Sequence, residues 1–367
     1  MEVPSTVKID AVKFFILMLA EIQLTASSGS KAVSVYFHIG IRLPVSETSP
    51  MKNLLIGVGA MSGNDAGVWI DRIVLAEEAG VQCAWLNNGP TSIDALVVFG
   101  AAALKTRRIL FGTSIMMTFP RHPLSMAQAA VAVDQLAPGR LRLGVGPSHK
   151  PFIEGIFGMP FEKPQEHLRE YLTILRSMLS DGTVSYSGKR LSAHAAMSPP
   201  RKTGAKVFAS ALRPAAFRLC GELADGAISW MCPLPYLRDV AAPALQEGAR
   251  AAGRATPPLV GHVMVSVSED AVAVREAARG QTSYYPQLPY YAQMLYDAGY
   301  SEVKEGKFSD RMIDDMVVHG SAEQVKERLR KLPSFGVDEL LATVIEPKND
   351  RETYARTVRA LGELAAE

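Results

Sequence analysis

Cysteine is scarce in this chain. Its 367 residues include three cysteines, Cys83, Cys220 and Cys232, which lie far apart and form no Cys-x-x-Cys pair. An odd number at this spacing indicates neither a disulfide framework nor a zinc site, and it fits a reducing, cytoplasmic environment. No other set of metal-ligating residues stands out in the sequence, so we expect no metal centre.

The chain also lacks excess charge and long apolar runs. It has 39 Lys and Arg against 37 Asp and Glu, a net charge of +2, and no basic tract. The sequence therefore predicts no basic surface that would bind nucleic acids or anionic membranes. No apolar run is long enough to span a membrane, while the 48% hydrophobic content suffices for a large core. We expect a soluble protein whose partner is a small-molecule substrate.

Residues 1–50 differ in character from the rest of the chain. The apolar segment 11–20 faintly resembles a secretory signal, but Lys13 and Glu21 interrupt the pattern. Met51 directly precedes the first predicted strand. We therefore expect residues 1–50 to be an N-terminal extension, either poorly ordered or the product of a start codon assigned too far upstream.

Strand-like and helical segments alternate from Met51 onward. The predicted strands are 54–59, 81–86, 109–115, 141–146, 206–210, 226–230, 259–266 and 338–345. The predicted helices are 67–79, 92–104, 125–136, 165–180, 214–223, 236–252 and 350–365, with a helical region over 269–318, a further helix from Ser321 and a hairpin-like connection over 182–198. This alternation predicts one domain over 51–367, an α/β (β/α)8 TIM barrel with insertions at its C-terminal face.

The most informative stretch is 108–149, RILFGTSIMMTFPRHPLSMAQAAVAVDQLAPGRLRLGVGPSH. It contains a strand, a helix and a second strand, and both strands run into unusual loops, MTFPRHP and GPSHKPF. In parallel α/β proteins, ligands bind at the carboxyl ends of the strands. We therefore expect the functional site to include these two loops.

Three segments together resemble a known family. FGTSIMMTFPRHP, APGRLRLGVGPSH and EKPQEHLREYLTILRSML are similar to the bacterial luciferase-like superfamily, whose members are TIM-barrel enzymes that use flavins or deazaflavins. Within it, the chain most resembles the oxidoreductases that depend on coenzyme F420, from about Met51 to about Ala365. The resemblance implies hydride transfer between C5 of the deazaflavin and an activated C=C, C=N or C=O bond of a small organic substrate. It also implies a homodimer.

The resemblance places particular residues at the coenzyme. It implies a cis peptide bond between Ser114 and Ile115 that supports the deazaflavin ring, and a phosphate site over 209–214 at a helix N-terminus. The implied coenzyme contacts are Asn88, Ser114, Ile115, Met117, Gly146, Ser148, Ser210, Ala211, Leu212 and Arg213. Arg213 stands where relatives commonly have glycine, so it either pairs with the phosphate or obstructs the backbone approach.

His149 is the candidate catalytic residue. The resemblance places it beside the ring and the substrate, where an imidazole with a pKa of ~6.5 can supply a proton near neutral pH. The alternative is a structural or surface histidine. Asn88 stands where many relatives have Asp, so it can hydrogen-bond the ring but cannot act as a base. Alternatively, Asn87 and Asn88 shape the turn before Gly89.

Aromatic residues and two further histidines complete the set of candidates. Five tyrosines cluster late in the chain, Tyr284, Tyr285, Tyr290, Tyr291 and Tyr296. They either pack an irregular region over the barrel mouth or form a lid that excludes water during hydride transfer. We expect a structural role for His122 and a helix-surface position for His167.

Two other functions stay open. The first is an FMN-dependent luciferase-like monooxygenase, which activates oxygen with a reduced flavin. The second is a non-catalytic barrel homologue, which Asn88 and Arg213 suggest because both depart from the family pattern. A fold does not determine a function, so coenzyme binding has to separate these alternatives.

Overall fold

The computed structural model of the protein describes residues 54–61, 63–199, 202–348 and 350–367. The predictions for residues 1–50 lie outside these residues, and the division into an extension and one domain stays a prediction. Within the described ranges, no helix is long and apolar enough to cross a membrane. The same ranges contain no group of three or more His, Cys, Asp or Glu residues that could hold a metal ion.

Strands and helices alternate along the described chain. The strands are β1 (Leu55–Gly59), β2 (Cys83–Leu86), β3 (Leu110–Thr113), β4 (Met116–Met117), β5 (Leu141–Gly146), β6 (Thr183–Ser187), β7 (Ser192–Ala196), β8 (Lys206–Ser210), β9 (Gly226–Ile228), β10 (Leu259–Val267), β11 (Val317–Gly320) and β12 (Glu339–Val344).

The helices lie mostly between the parallel strands. They are α1 (Ala66–Glu78), α2 (Ala95–Lys105), α3 (Pro123–Leu136), α4 (Lys150–Gly155), α5 (Pro164–Asp181), α6 (Pro214–Leu223), α7 (Ala242–Ala251), α8 (Ala271–Thr282), α9 (Pro289–Asp297), α10 (Asp310–Met316), α11 (Ala322–Leu329) and α12 (Thr353–Ala365). Shorter helical turns are Leu234–Tyr236, Leu237–Ala241, Tyr285–Gln287, Ser301–Glu305 and Leu332–Phe335.

The parallel strands close into a barrel. Their hydrogen-bonded order is β1, β2, β3, β5, β8, β9, β10 and β12, and β12 pairs again with β1. Strands β2 and β10 are buried along their whole length, because helices cover them outside and the barrel core covers them inside. The predicted α/β (β/α)8 TIM barrel is confirmed.

Strand β11 departs from the sequence prediction, which assigned 269–318 to a helical region. The lower end of β10 pairs with β9, whereas Met264 to Val267 pair with Val317 to Gly320 of β11. β11 begins in the last two residues of that region and ends just before the helix predicted from Ser321. Four residues carry almost no periodicity of their own, and backbone pairing with β10 defines the strand. Its placement separates β9 from the upper half of β10 at the C-terminal end of the barrel.

The centre of the barrel is filled by side chains, so it leaves no channel. Trp85 and Phe208 meet edge to face with ring centroids 6.4 Å apart, and both are about 1% exposed. Below them, Arg142 and Glu339 form a bidentate ion pair with N–O distances of 3.1 and 3.0 Å. A ligand therefore has to bind above this layer, at the carboxyl ends of the strands.

Candidate functional site

A cavity of about 460 Å³ opens at the carboxyl ends of the barrel strands. Its lining residues are Asn87, Asn88, Gly89, Pro90, Ser114, Ile115, Met117, Pro147, Ser148, His149, Phe152, Phe161, Pro164, Gln165, Leu168, Ser210, Ala211, Leu212, Arg213, Ala215, Ala216, Ile228, Trp230, Tyr284, Tyr285, Tyr290 and Tyr291. Of the residues that the sequence analysis named individually as coenzyme contacts or as catalytic, all except Gly146 line this cavity. The volume falls in the range typical of cofactor and substrate sites.

The floor of the cavity lies where β3 gives way to β4. The peptide bond between Ser114 and Ile115 is cis, which confirms this prediction. Thr113 precedes it and donates its Oγ1 hydrogen to the Gly144 carbonyl at 2.8 Å. The sequence analysis predicted one strand over 109–115, whereas the structure divides it at Ser114 and pairs Met116 and Met117 with β5.

Gly146 lies beneath this floor and does not line the cavity. A Cβ atom added there would lie 2.2 Å from Ser210 Oγ and 3.2 Å from Ile115 Cγ1. The missing side chain therefore lets Ile115 and Ser210 approach each other across β5. Gly146 acts on the cavity through these two neighbours, which both line it.

The β5 loop turns sharply and presents His149 to the cavity. Ser148 has a φ of 63°, in the left-handed region that residues other than glycine seldom adopt. Such backbone outliers cluster at ligand sites, where the surrounding structure holds them in place. The His149 ring lies 5.9 Å from the Phe152 ring and 5.4 Å from the Tyr291 ring, measured between centroids.

Burial changes the protonation of His149. It lowers the pKa of the imidazole to about 4, because burial removes the water that stabilises the charged form. The ring is therefore neutral at pH 7. The sequence argument assumed an ordinary pKa, and it has to be revised: the free enzyme offers a proton acceptor at this position.

Asn88 has a structural partner. Its side-chain oxygen accepts a hydrogen bond of 2.9 Å from the backbone N–H of Ala95, the first residue of α2. Its side-chain nitrogen makes a long contact of 3.5 Å to the Gly89 carbonyl. The oxygen thus holds the loop after β2 against α2, as in the turn-shaping alternative, while the residue still borders the cavity.

The start of α6 forms a cradle of backbone donors. The backbone N–H groups of Leu212, Arg213 and Ala215 donate to no acceptor within the described residues, and all three residues line the cavity. Unpaired N–H groups at a helix N-terminus attract phosphate. Arg213 also contributes a guanidinium, but its Nη2 lies 3.3 Å from a carboxylate oxygen of Asp297 in α9.

The tyrosine cluster borders the cavity on the side of α9. Tyr284 and Tyr285 stack with centroids 4.2 Å apart, and Tyr285 meets Tyr291 edge to face at 4.7 Å. These three residues and Tyr290 line the cavity, whereas Tyr296 does not. The packing interpretation is confirmed for Tyr284, Tyr285 and Tyr291, whereas the lid function stays a prediction.

Trp230 and His262 were missed by the sequence analysis. Trp230 lines the cavity, donates from Nε1 to the Tyr285 hydroxyl at 2.5 Å, and stacks on His262 at 3.9 Å between centroids. His262 accepts from the backbone N–H of Met231 at Nδ1, so its Nε2 carries the hydrogen and donates to Thr343 Oγ1. The position of Trp230 at the end of a predicted barrel strand was the sequence feature that could have indicated a site residue.

The two further histidines of the sequence analysis, His122 and His167, have structural roles. His122 caps α3 by accepting the Leu124 N–H at Nδ1, 3.2 Å away, as expected. The surface prediction for His167 is wrong: it is 7% exposed, stacks on Phe119 and lies 3.0 Å from Thr118 Oγ1. A helix pattern alone did not reveal that the loop after β4 covers this face of α5.

The architecture is that of a TIM-barrel enzyme, with polar and aromatic side chains gathered around one cavity at the C-terminal face. Residues 54–339 match the family model of the luciferase-like monooxygenases, and the chain belongs to this family. The resemblance seen in the three sequence segments is thereby confirmed.

The relatives include reductases and dehydrogenases, some of which are named for coenzyme F420. The F420-dependent glucose-6-phosphate dehydrogenase of Beutenbergia cavernae is 33% identical over 225 residues, which cover 56% of this chain and 66% of the relative. The 5,10-methylenetetrahydromethanopterin reductase of Archaeoglobus fulgidus is 25% identical over 292 residues, covering 74% and 87%. The solved coenzyme F420-dependent tetrahydromethanopterin reductase of Methanopyrus kandleri has the same fold, with a TM-score of 0.70 at 20% identity, covering 85% and 98% of the two chains.

Proposed function

We propose that this chain is a coenzyme F420-dependent oxidoreductase that transfers a hydride between C5 of the deazaflavin and an activated C=O, C=N or C=C bond of a small organic substrate. One observation carries the proposal: a single cavity combines the floor at Ser114 and Ile115, the free N–H groups at α6 and the neutral imidazole of His149. The F420 dependence of named relatives supports the choice of coenzyme. The homodimer and the cytoplasmic location stay predictions.

The residues present fit such a coenzyme at two places. Ile115 and Ser210 approach closely over Gly146 and offer a compact floor for a planar ring. The N–H groups of Leu212 and Arg213 suit a phosphate group. When bound, the deazaflavin supplies the two-electron hydride chemistry. Phosphate binding would also compete with Asp297 for Arg213, because both offer oxygen atoms to one guanidinium.

His149 holds the proton that accompanies hydride transfer. A neutral imidazole accepts the hydroxyl proton of an alcohol while that substrate is oxidised, and it returns the proton in the reverse direction. The tyrosines and Trp230 exclude water from the same space, which strengthens the polar contacts inside it. Asn88 cannot act as a base, as the Asp of many relatives can. In this chain His149 supplies the base instead.

The proposal is tested by titrating the full-length chain with purified F420 and, in parallel, with FMN. Trp230 lines the cavity, so bound coenzyme should quench its fluorescence. We expect a dissociation constant for F420 in the micromolar range or below and binding of FMN at least about 100-fold weaker, a difference of about 2.7 kcal/mol. A Trp230→Phe variant should lose the signal and identify the responding tryptophan.

The other outcomes decide between the alternatives. Tighter binding of FMN would overturn the proposal in favour of a luciferase-like monooxygenase. A folded protein that binds neither coenzyme would be assigned to the non-catalytic homologues. Calorimetry on the same samples distinguishes true absence of binding from a silent fluorophore.

Gly146 provides a second prediction for the same site. The Gly146→Ala variant should bind F420 at least about tenfold more weakly, since the added Cβ displaces Ser210 and Ile115 from the cavity floor. Gly280→Ala is the matched control, because a Cβ there meets no atom within 4 Å. Unchanged F420 affinity in a folded Gly146→Ala protein would contradict the proposed position of the ring.

A further inference from the structure

The wall of the cavity carries very little charge. Among the described lining residues, Arg213 is the only charged side chain, and its guanidinium already pairs with Asp297. Lys150 follows His149 in the sequence but does not line the cavity, and its ammonium group faces Glu154 at 3.7 Å. The substrate end of the cavity, formed by His149, Trp230 and the tyrosines, therefore offers no free cation.

Three titratable groups at the substrate end, His149, Tyr285 and Tyr291, are also neutral. Burial lowers the pKa of His149 to about 4, so the imidazole is uncharged at neutral pH. Burial likewise raises the pKa of Tyr285 and of Tyr291 well above the usual value. These side chains consequently present aromatic faces and neutral hydrogen-bonding atoms to a ligand at pH 7.

Anions and uncharged molecules should bind differently to such a surface. A carboxylate or phosphate that leaves water needs a cation or several N–H donors in return, and a buried charge without them is disfavoured. The free N–H groups of the cavity lie at the start of α6, where the proposed function places the coenzyme phosphate. Aromatic faces with a few neutral polar atoms suit an apolar ring that carries one oxygen.

We infer that the substrate is an uncharged alcohol, or the corresponding ketone, on an apolar ring-shaped skeleton, and that the site rejects sugar phosphates and carboxylates. The oxidoreductase chemistry of this substrate rests on the proposed function. The selection against negative charge depends only on the side chains that line the cavity, so it is expected whether the coenzyme is F420 or FMN. His149 is the neutral group available to the substrate oxygen, and the tyrosines and Trp230 surround the ring.

The inference is tested with two probes that share one skeleton, 4-phenylcyclohexanone and 4-(4-oxocyclohexyl)benzoate, which differ by one carboxylate. Both are titrated into the full-length protein by calorimetry and by Trp230 fluorescence, first with F420 bound. They are titrated again without F420 in saturating inorganic phosphate, so that the N–H groups at the start of α6 are occupied in both series. We expect the uncharged ketone to bind at least tenfold more tightly at pH 7.5. Glucose 6-phosphate, the compound in the name of one group of relatives, should show no saturable binding over the same concentrations.

A charge introduced at the rim provides the complementary test. Tyr290 lines the cavity and is 46% exposed, so arginine can replace it without filling the core. In Tyr290→Arg the preference for the ketone should fall at least fivefold, whereas the matched Tyr290→Gln variant should keep it. Thermal melting of both variants verifies that they are folded.

The outcomes separate this inference from the proposed function. Equal or tighter binding of the carboxylate or of glucose 6-phosphate, or no saturable binding of the ketone, overturns the inferred substrate class. Failure to bind F420 overturns the proposed function, while the comparison of the two probes in coenzyme-free protein still tests the selection against charge.

Discussion

The His149→Asn variant should lose about 100-fold in kcat for alcohol oxidation, a value at the low end for a residue that moves a proton in the transition state. Its affinity for F420 should stay within about twofold, because asparagine keeps a polar group beside Phe152 and Tyr291. The measurement is the rate at which bound F420 loses its visible absorbance while the alcohol is oxidised to the ketone. His194→Asn, an exposed histidine on β7, is the matched control.

The pH dependence tests the same residue in the wild-type enzyme. Because kcat/KM reports the pKa values of the free enzyme, a base with a pKa of about 4 should leave the profile flat from pH 6 to 8. The rate should fall only as the pH drops toward 4, where the imidazole becomes protonated. A wild-type inflection near ~6.5, the ordinary histidine value, would contradict the buried neutral state of His149.

The second large effect concerns stability. Arg142→Met should lower the free energy of unfolding by about 4 kcal/mol, because it leaves Glu339 buried without its bidentate partner. Burial raises the pKa of Glu339, although the nearby guanidinium acts in the opposite direction. Urea unfolding at pH 7 measures the change, and the thermal midpoint should fall with it.

Two further variants show whether the isolated charge is the cause. The double variant Arg142→Met with Glu339→Leu should regain most of the lost stability, since it removes both charges from the core. Arg218→Met breaks an exposed pair with Glu247, whose side chains are 45% and 49% exposed, and should cost less than about 1 kcal/mol. A double variant no more stable than Arg142→Met would show that lost packing of the arginine stem dominates.

The barrel strands were predictable because parallel strands covered on both faces are nearly continuous apolar runs. The predicted strand 141–146 coincides with β5 and the predicted strand 206–210 with β8. Strand 226–230 was predicted too long: β9 ends at Ile228, and the chain then leaves the sheet through Trp230 and a left-handed Met231 with a φ of 54°. The aromatic and apolar residues continue past the strand, so composition could not indicate its end.

The positions of the candidate site residues were predictable from the sequence, but their hydrogen bonds and ion pairs were not. Residues at the ends of β2, β3, β5 and β8 were expected near one another, and the structure brings Asn88, Ser114, His149 and Ser210 around one cavity. The hydrogen-bond partner of Asn88 and the ion pair of Arg213 were not visible in the sequence. Arg213 and Asp297 are 84 positions apart, so their contact depends on the fold that brings the end of α9 near the start of α6.

The sequence by itself determined the alternation of strands and helices, the nearly balanced charge and the family, because these follow from local composition and from motifs within single segments. The tertiary structure alone decided the short strand β11, the burial of His167 and the neutral state of His149. Each of these depends on which distant side chains pack against a residue: pairing with β10 creates β11, and the rings of Phe152 and Tyr291 help to withdraw His149 from water. Desolvation is a property of the surroundings in space, and a linear pattern does not contain it.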